Sequence, residues 1–167
     1  MDRAKWVEQE AARARERSGQ KIPPVDPEAV ARVQAIPVRR GVVLPTGVRA
    51  SWSEGAAEIT LAAGLTPQLE RFPLAHEIGH AVLGHGACDG VGEPAATDFP
   101  LDEADMGIDY EREASLFAQC LLLPREWVRR DVLAGIGQAA LLDRYGVAKS
   151  TLQIAVTRYR LFSKLKP

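Results

Sequence analysis

The stretch Arg71-Phe72-Pro73-Leu74-Ala75-His76-Glu77-Ile78-Gly79-His80-Ala81-Val82-Leu83-Gly84-His85 decides how this chain folds and what chemistry it can carry. Leu74, Ala75, Ile78, Ala81, Val82 and Leu83 make it apolar on most sides, so it reads as a buried helix with Pro73 in its first turn and Gly84 as its stop. His76 and His80 are four apart and stand one above the other on a single helix face. Two imidazoles placed in this way can share one Zn²⁺ and leave room for a third protein ligand and a water. Glu77 follows His76, rotated about 100° around the axis, where its carboxylate reaches such a water without displacing it. Zinc brings the pKa of its water towards ~7 and polarises a carbonyl. A carboxylate then takes the water proton and passes it to a leaving nitrogen. Three polar side chains in a buried helix are costly unless something satisfies them, and a metal ion would do so.

The spacing excludes one arrangement of the third ligand. Metzincins place a third histidine six residues after the second, whereas here Gly84 is four after His80 and His85 five after. The third ligand should therefore be a carboxylate from another helix, as in gluzincins. Residues 109–123 supply it. Ala114, Phe117, Ala118, Leu121 and Leu122 recur at helical spacing and form an apolar face. Glu111 lies on the core-facing side and Glu113 about 100° off it. Glu111 is the better-placed ligand and Glu113 the alternative. Either one alone would be an ordinary carboxylate at a helix N-terminus, where the helix dipole favours it.

Around these helices the chain reads as α+β. Residues 2–17 are a charged, Ala-rich helix, and Asp26-Pro27-Glu28 starts a short second one. Val38–Leu44, Val48–Ser53 and Glu58–Ala62 are strand-like, separated by Pro45-Thr46-Gly47 and Glu54-Gly55. The expectation is a small antiparallel three-stranded sheet packed on a mainly helical, zincin-like core. Pro124 stops the second site helix, a short helix covers about 125–133, and Gln138–Leu161 has the outline of helix, Gly146 turn, helix. The expected organisation is N-terminal helices over 1–36, a peptidase core over 37–134 and a helix-turn-helix-like segment over 135–167, all packed as one domain.

Two blocks carry a family resemblance. Arg71 to His85 resembles the stretch R-F-T-L-A-H-E-L-G-H-x-x-L-x-H, and Glu111-Arg112-Glu113-Ala114-Ser115-Leu116-Phe117-Ala118-Gln119-Cys120-Leu121-Leu122-Leu123-Pro124 resembles E-x-x-A-N-x-F-A-x-x-L-L-M-P. Together they are similar to the ImmA/IrrE family of bacterial and phage zinc metallopeptidases, over about residues 37–160. The resemblance implies a cytoplasmic enzyme that cuts a helix-turn-helix repressor and so releases a mobile element or a stress response. Carried over by position, it makes His76, His80 and Glu111 the zinc ligands and Glu77 the catalytic base. Ser115 departs from the usual Asn or Asp, Leu123 from Met, and the segment between the blocks is longer.

Composition narrows the alternatives. At 167 residues, 46% apolar and net charge −1, the chain can bury a core and carries no overall polybasic character. No apolar run approaches the ~20 residues of a membrane span, and Met1-Asp2-Arg3-Ala4-Lys5-Trp6 lacks the apolar stretch of a signal peptide. Cys88 and Cys120 read as reduced thiols of a cytoplasmic protein. Gly86–Asp109 is a long acidic loop, suited to attract the basic face of a repressor. Lys149, Arg158, Arg160, Lys164 and Lys166 give the C-terminal segment a basic bias, with Lys149, Thr151 and Gln153 as its exposed readers if it contacts DNA. The rival to a peptidase is a DNA- or protein-binding regulator with a structural zinc. Tyr110, His85 and a backbone N–H all stay open as the group that stabilises an oxyanion.

Overall fold

The computed structural model describes residues 2–86, 88–91 and 110–166. It has an α+β architecture, a small sheet on a helical core. Helix α1 (Arg3–Arg17) is capped by Asp2, whose side chain accepts from the Ala4 N–H at 3.1 Å. Its Ala4, Val7, Ala11 and Ala14 form one buried stripe laid against the helices that carry the site. Helix α2 (Pro27–Val33) starts as its sequence dictates, with Asp26 capping Glu28 and Pro27 at the first helical position.

Four strands follow the order β1-β3-β2-β4: β1 (Val38–Val42), β2 (Val48–Ser53), β3 (Glu58–Ala62) and β4 (Cys88–Val91). The expected three-stranded antiparallel sheet is thus, among the described residues, a four-stranded mixed one. Two successive chain reversals leave β3 running in the same direction as β1. Because β3, not β2, lies beside β1, that pair is parallel, with Val38 opposite Ile59 and Arg39 opposite Thr60. The other two pairs are antiparallel, Trp52 facing Ile59 on one side and Cys88 on the other. Strand β4 falls within the stretch expected to be loop. Its Gly- and Asp-containing sequence carries no strand signal, and pairing with β2 supplies what propensity does not.

Helix α3 (Pro67–Leu83) opens two turns earlier than expected. Thr66 caps it through the Leu69 N–H and Pro67 occupies its first turn, so Pro73 stands inside the helix. Gly84 ends it at φ 73°, a left-handed turn that L residues with a side chain adopt at a cost. Strand β2 packs against α3, which packs in turn against α4 (Tyr110–Leu122). Phe117, Ala118, Leu121 and Leu122 of α4 are fully buried, each large apolar side chain worth roughly 1.5–3 kcal/mol.

Helices α5 (Arg125–Leu133), α6 (Gln138–Tyr145) and α7 (Lys149–Arg158) close the other end. The Tyr159 hydroxyl donates to the Leu123 carbonyl at 2.7 Å and fixes the end of α7 to the end of α4. Arg71 of α3 reaches the same region. Its guanidinium donates to the carbonyls of Gly146 at 2.9 Å, Val25 at 2.7 Å and Tyr145 at 3.2 Å. One buried cluster runs from Ala4 to Leu161 through the helices and strands β2 and β3, with Val38 of β1 packed against it.

Candidate metal centre

Helix α3 presents His76, Glu77 and His80 to the interior, exposed by 6%, 1% and 0%. Helix α4 brings Glu111 to the same point. His76 Nε2 lies 3.1 Å from His80 Nε2 and 3.1 Å from Glu111 Oε2, and His80 Nε2 lies 3.3 Å from Glu111 Oε1. A tetrahedral zinc with bonds of about 2.0–2.1 Å separates its donors by roughly 3.3–3.4 Å, so this spacing fits such an ion. Among the described residues these three form the one group of His, Cys, Asp or Glu donors so gathered. The Glu111 side chain keeps 46% exposure, which leaves the site accessible on that flank.

The outer nitrogens of the two imidazoles are held as well. His76 Nδ1 is 3.2 Å from the Ser115 hydroxyl, and His80 Nδ1 is 3.1 Å from His85 Nδ1. Ser115 therefore meets His76 from the position where the resembling signature carries Asn. The His76 imidazole first, and the His80 imidazole with it, face the Glu111 carboxyl and hold it well below the usual carboxylate range, against its partial burial. Burial pushes the His76 imidazole down more strongly than Glu111 raises it, which favours the neutral ring that metal ligation needs.

The two glutamates separate cleanly. Glu113 is 2% exposed and turned away from His76, bonded to Arg3 and to His85. His85 is 2% exposed, with one ring nitrogen against His80 and the other against Glu113. Both nitrogens being engaged, it is no longer a candidate for oxyanion stabilisation. Tyr110 stacks on His85 with ring centroids 4.4 Å apart and is 45% exposed.

These geometries agree with a comparison of the whole chain. The family model for the IrrE N-terminal-like domain, a peptidase family, matches residues 38–157. The chain belongs to this family. No curated protein matches the chain in sequence. The IrrE N-terminal-like span takes in the whole described sheet, both site helices and nearly all of α7, and leaves α1 and α2 outside.

Other expectations fare differently. The acidic stretch, β4 apart, lies outside the described residues. Of the C-terminal residues suggested as DNA readers, Thr151 is 5% exposed, facing the core side of α7 with Leu152 and Ala155. Arg158 is engaged internally by Cys120 and Glu8. Burial raises the Cys120 thiol to about 11, so it stays protonated and inert at neutral pH. No helix among the described residues is long and apolar enough to cross a membrane. The link from His85 through Glu113 to Arg3 has no counterpart in the sequence reading, because no periodicity relates residues 3, 85 and 113.

Proposed function

We propose that the chain is a zinc-dependent endopeptidase that cuts a partner protein, a helix-turn-helix transcriptional repressor, and so relieves repression of a mobile element or stress response in the cytoplasm. The observation that carries the reading is the meeting of His76, His80 and Glu111 beside a buried Glu77. His76, His80 and Glu111 would hold the ion. When bound, zinc supplies Lewis acidity that polarises a scissile carbonyl and acidifies water. Glu77 accepts a proton from the attacking water as its oxygen bonds to the carbonyl carbon. It returns that proton to the amide nitrogen as the C–N bond breaks. The repressor as substrate rests on the resemblance of the two site blocks to ImmA/IrrE sequences.

A structural zinc would be closed by four protein ligands. Three donors gathered among the described residues, with Glu111 partly open, support a catalytic site instead. The test mixes the protein with candidate helix-turn-helix repressors, any encoded beside its gene first, with zinc, with a chelator, and as Glu77→Gln. A single cut by the wild type is expected, abolished by chelation and restored by zinc. Glu77→Gln should bind zinc normally while cutting about 10²–10⁴-fold more slowly. Equal cleavage by both proteins overturns the mechanism.

A further inference from the structure

Helix α1 lies outside the family match, yet a continuous line of hydrogen bonds joins it to the metal centre. Arg3 Nε donates to Glu113 Oε1 at 2.7 Å and Arg3 Nη2 to Glu113 Oε2 at 2.8 Å. Glu113 Oε2 also faces His85 Nε2 at 3.0 Å, and His85 Nδ1 faces His80 Nδ1 at 3.1 Å. Glu113, His85 and His80 are all at most 2% exposed.

Proton placement along this line follows from the donor inventory. An ionised carboxylate only accepts, so neutral His85 carries its hydrogen on Nε2 and leaves a lone pair on Nδ1. That lone pair can only accept, so the hydrogen of His80 sits on Nδ1. The lone pair of His80 is thereby directed from Nε2 towards His76 and Glu111, where a ligand lone pair is needed. The bidentate Arg3 guanidinium neutralises and orients the Glu113 carboxylate on which the sequence depends. The Tyr110 ring stacked on His85, and Arg3 lying 4.1 Å from the Trp6 ring centroid, hold two members of the line in place.

We propose that Arg3, Glu113 and His85 are positioning residues of the metal site, so that α1, which the family match does not include, sets the tautomer and orientation of His80 and with them the affinity for metal. The inference rests on His76, His80 and Glu111 being the ligands. It differs from a packing role for α1, which would alter stability without altering the ligand field.

The experiment titrates the full chain with Zn²⁺ against a chelator, and with Co²⁺ followed by its visible absorption. Arg3→Ala, Glu113→Gln and their combination are compared with the wild type, and His76→Ala serves as the ligand control. Arg3→Ala and Glu113→Gln should each weaken Zn²⁺ binding about 10–100-fold at unchanged 1:1 stoichiometry, with an altered Co²⁺ spectrum. The double variant should bind no more weakly than Glu113→Gln alone, since both changes break one line. Wild-type affinity and spectrum in Arg3→Ala would overturn the proposal. That variant decides the matter even if Glu113→Gln does not fold, because the Arg3 side chain is 46% exposed. Full metal binding by His76→Ala, or none by the wild type, would instead overturn the ligand reading beneath it.

Discussion

Gly79 of α3 lies directly against Ala114 of α4: a β-carbon at position 79 would sit 3.1 Å from the Ala114 Cα, 3.1 Å from its carbonyl oxygen and 3.1 Å from Phe117 Cβ. The missing side chain lets the two helices approach closely enough for Glu111, just under one turn before Ala114, to reach the histidines. Gly79→Ala would gain about 1 kcal/mol of helix propensity and lose about 1–3 kcal/mol to overpacking. The expected outcome is a net loss of up to about 2 kcal/mol together with weaker zinc binding, as Glu111 is pushed outward. Thermal unfolding without metal and chelator competition measure the two effects, and a variant unchanged in both would contradict this account.

Arg71 joins three segments by donating to the ends of their backbones. Its bonds to the Tyr145 and Gly146 carbonyls complete the C-terminus of α6, where a cation is favoured by the helix dipole, and its bond to Val25 secures the approach to α2. Burial lowers the Arg71 pKa, yet the group stays charged at any ordinary pH. Arg71→Met keeps the apolar stem and leaves these carbonyls without their charged donor, at a cost of about 2–3 kcal/mol. Arg71→Lys, with a single ammonium in place of the fork, should recover only part of that. Urea unfolding midpoints decide, and a loss under about 0.5 kcal/mol for Arg71→Met would show that the bonds contribute little.

Asp131 gives the fold an acid-sensitive joint between α5 and α6. Burial raises its carboxyl, but hydrogen bonds from Arg130 and Tyr145 and the charge of Arg144 outweigh this and hold it below its ordinary value. A carboxylate depressed in the folded state stabilises above its unfolded pKa of about 3.9, and that contribution is lost as pH falls through the folded value. The stability gap between wild type and Asp131→Asn should therefore be largest near neutrality and shrink below about pH 4. A gap that stays constant from neutral pH down to about pH 3 would contradict the assignment.

Much of this molecule was legible because short-range chemistry wrote it. Asp26 with Pro27, Gly84 and Pro124 mark helix ends through constraints that act within a few residues, and the four-residue spacing of His76 and His80 fixes their shared face. The phase of Glu111 on an apolar helix singled it out, but the burial it implied is reversed: Glu113, expected off the core face, is buried, and the Glu111 side chain stays 46% exposed where it meets the histidines. What was hidden is non-local. The neighbour of β1 depends on which strand fills the place beside it, and turn residues report reversal but not adjacency. Thr66-Pro67 and Pro73 both look like helix starts, and only the Thr66 cap on Leu69 shows which one begins the helix. The pairing of Arg3 with Glu113 spans 110 residues, and neither residue type in its own surroundings announces the other. Thr151, polar in sequence, is buried by the packing of α7.

The parallel seating of β1 also bears on what it costs to close the sheet. Strands β2 and β3 are joined by a tight turn and close a small loop, whereas β1 meets β3 only across a larger one, which costs more entropy to close. The hairpin is thus the cheaper closure, and β2, the strand against α3, gains its first partner without the outer strand. With its three central residues exposed, β1 adds little burial of its own. The platform beneath the histidines therefore leans on the β2–β3 hairpin more than on the exposed outer strand, whose loss would remove little burial from beneath the site.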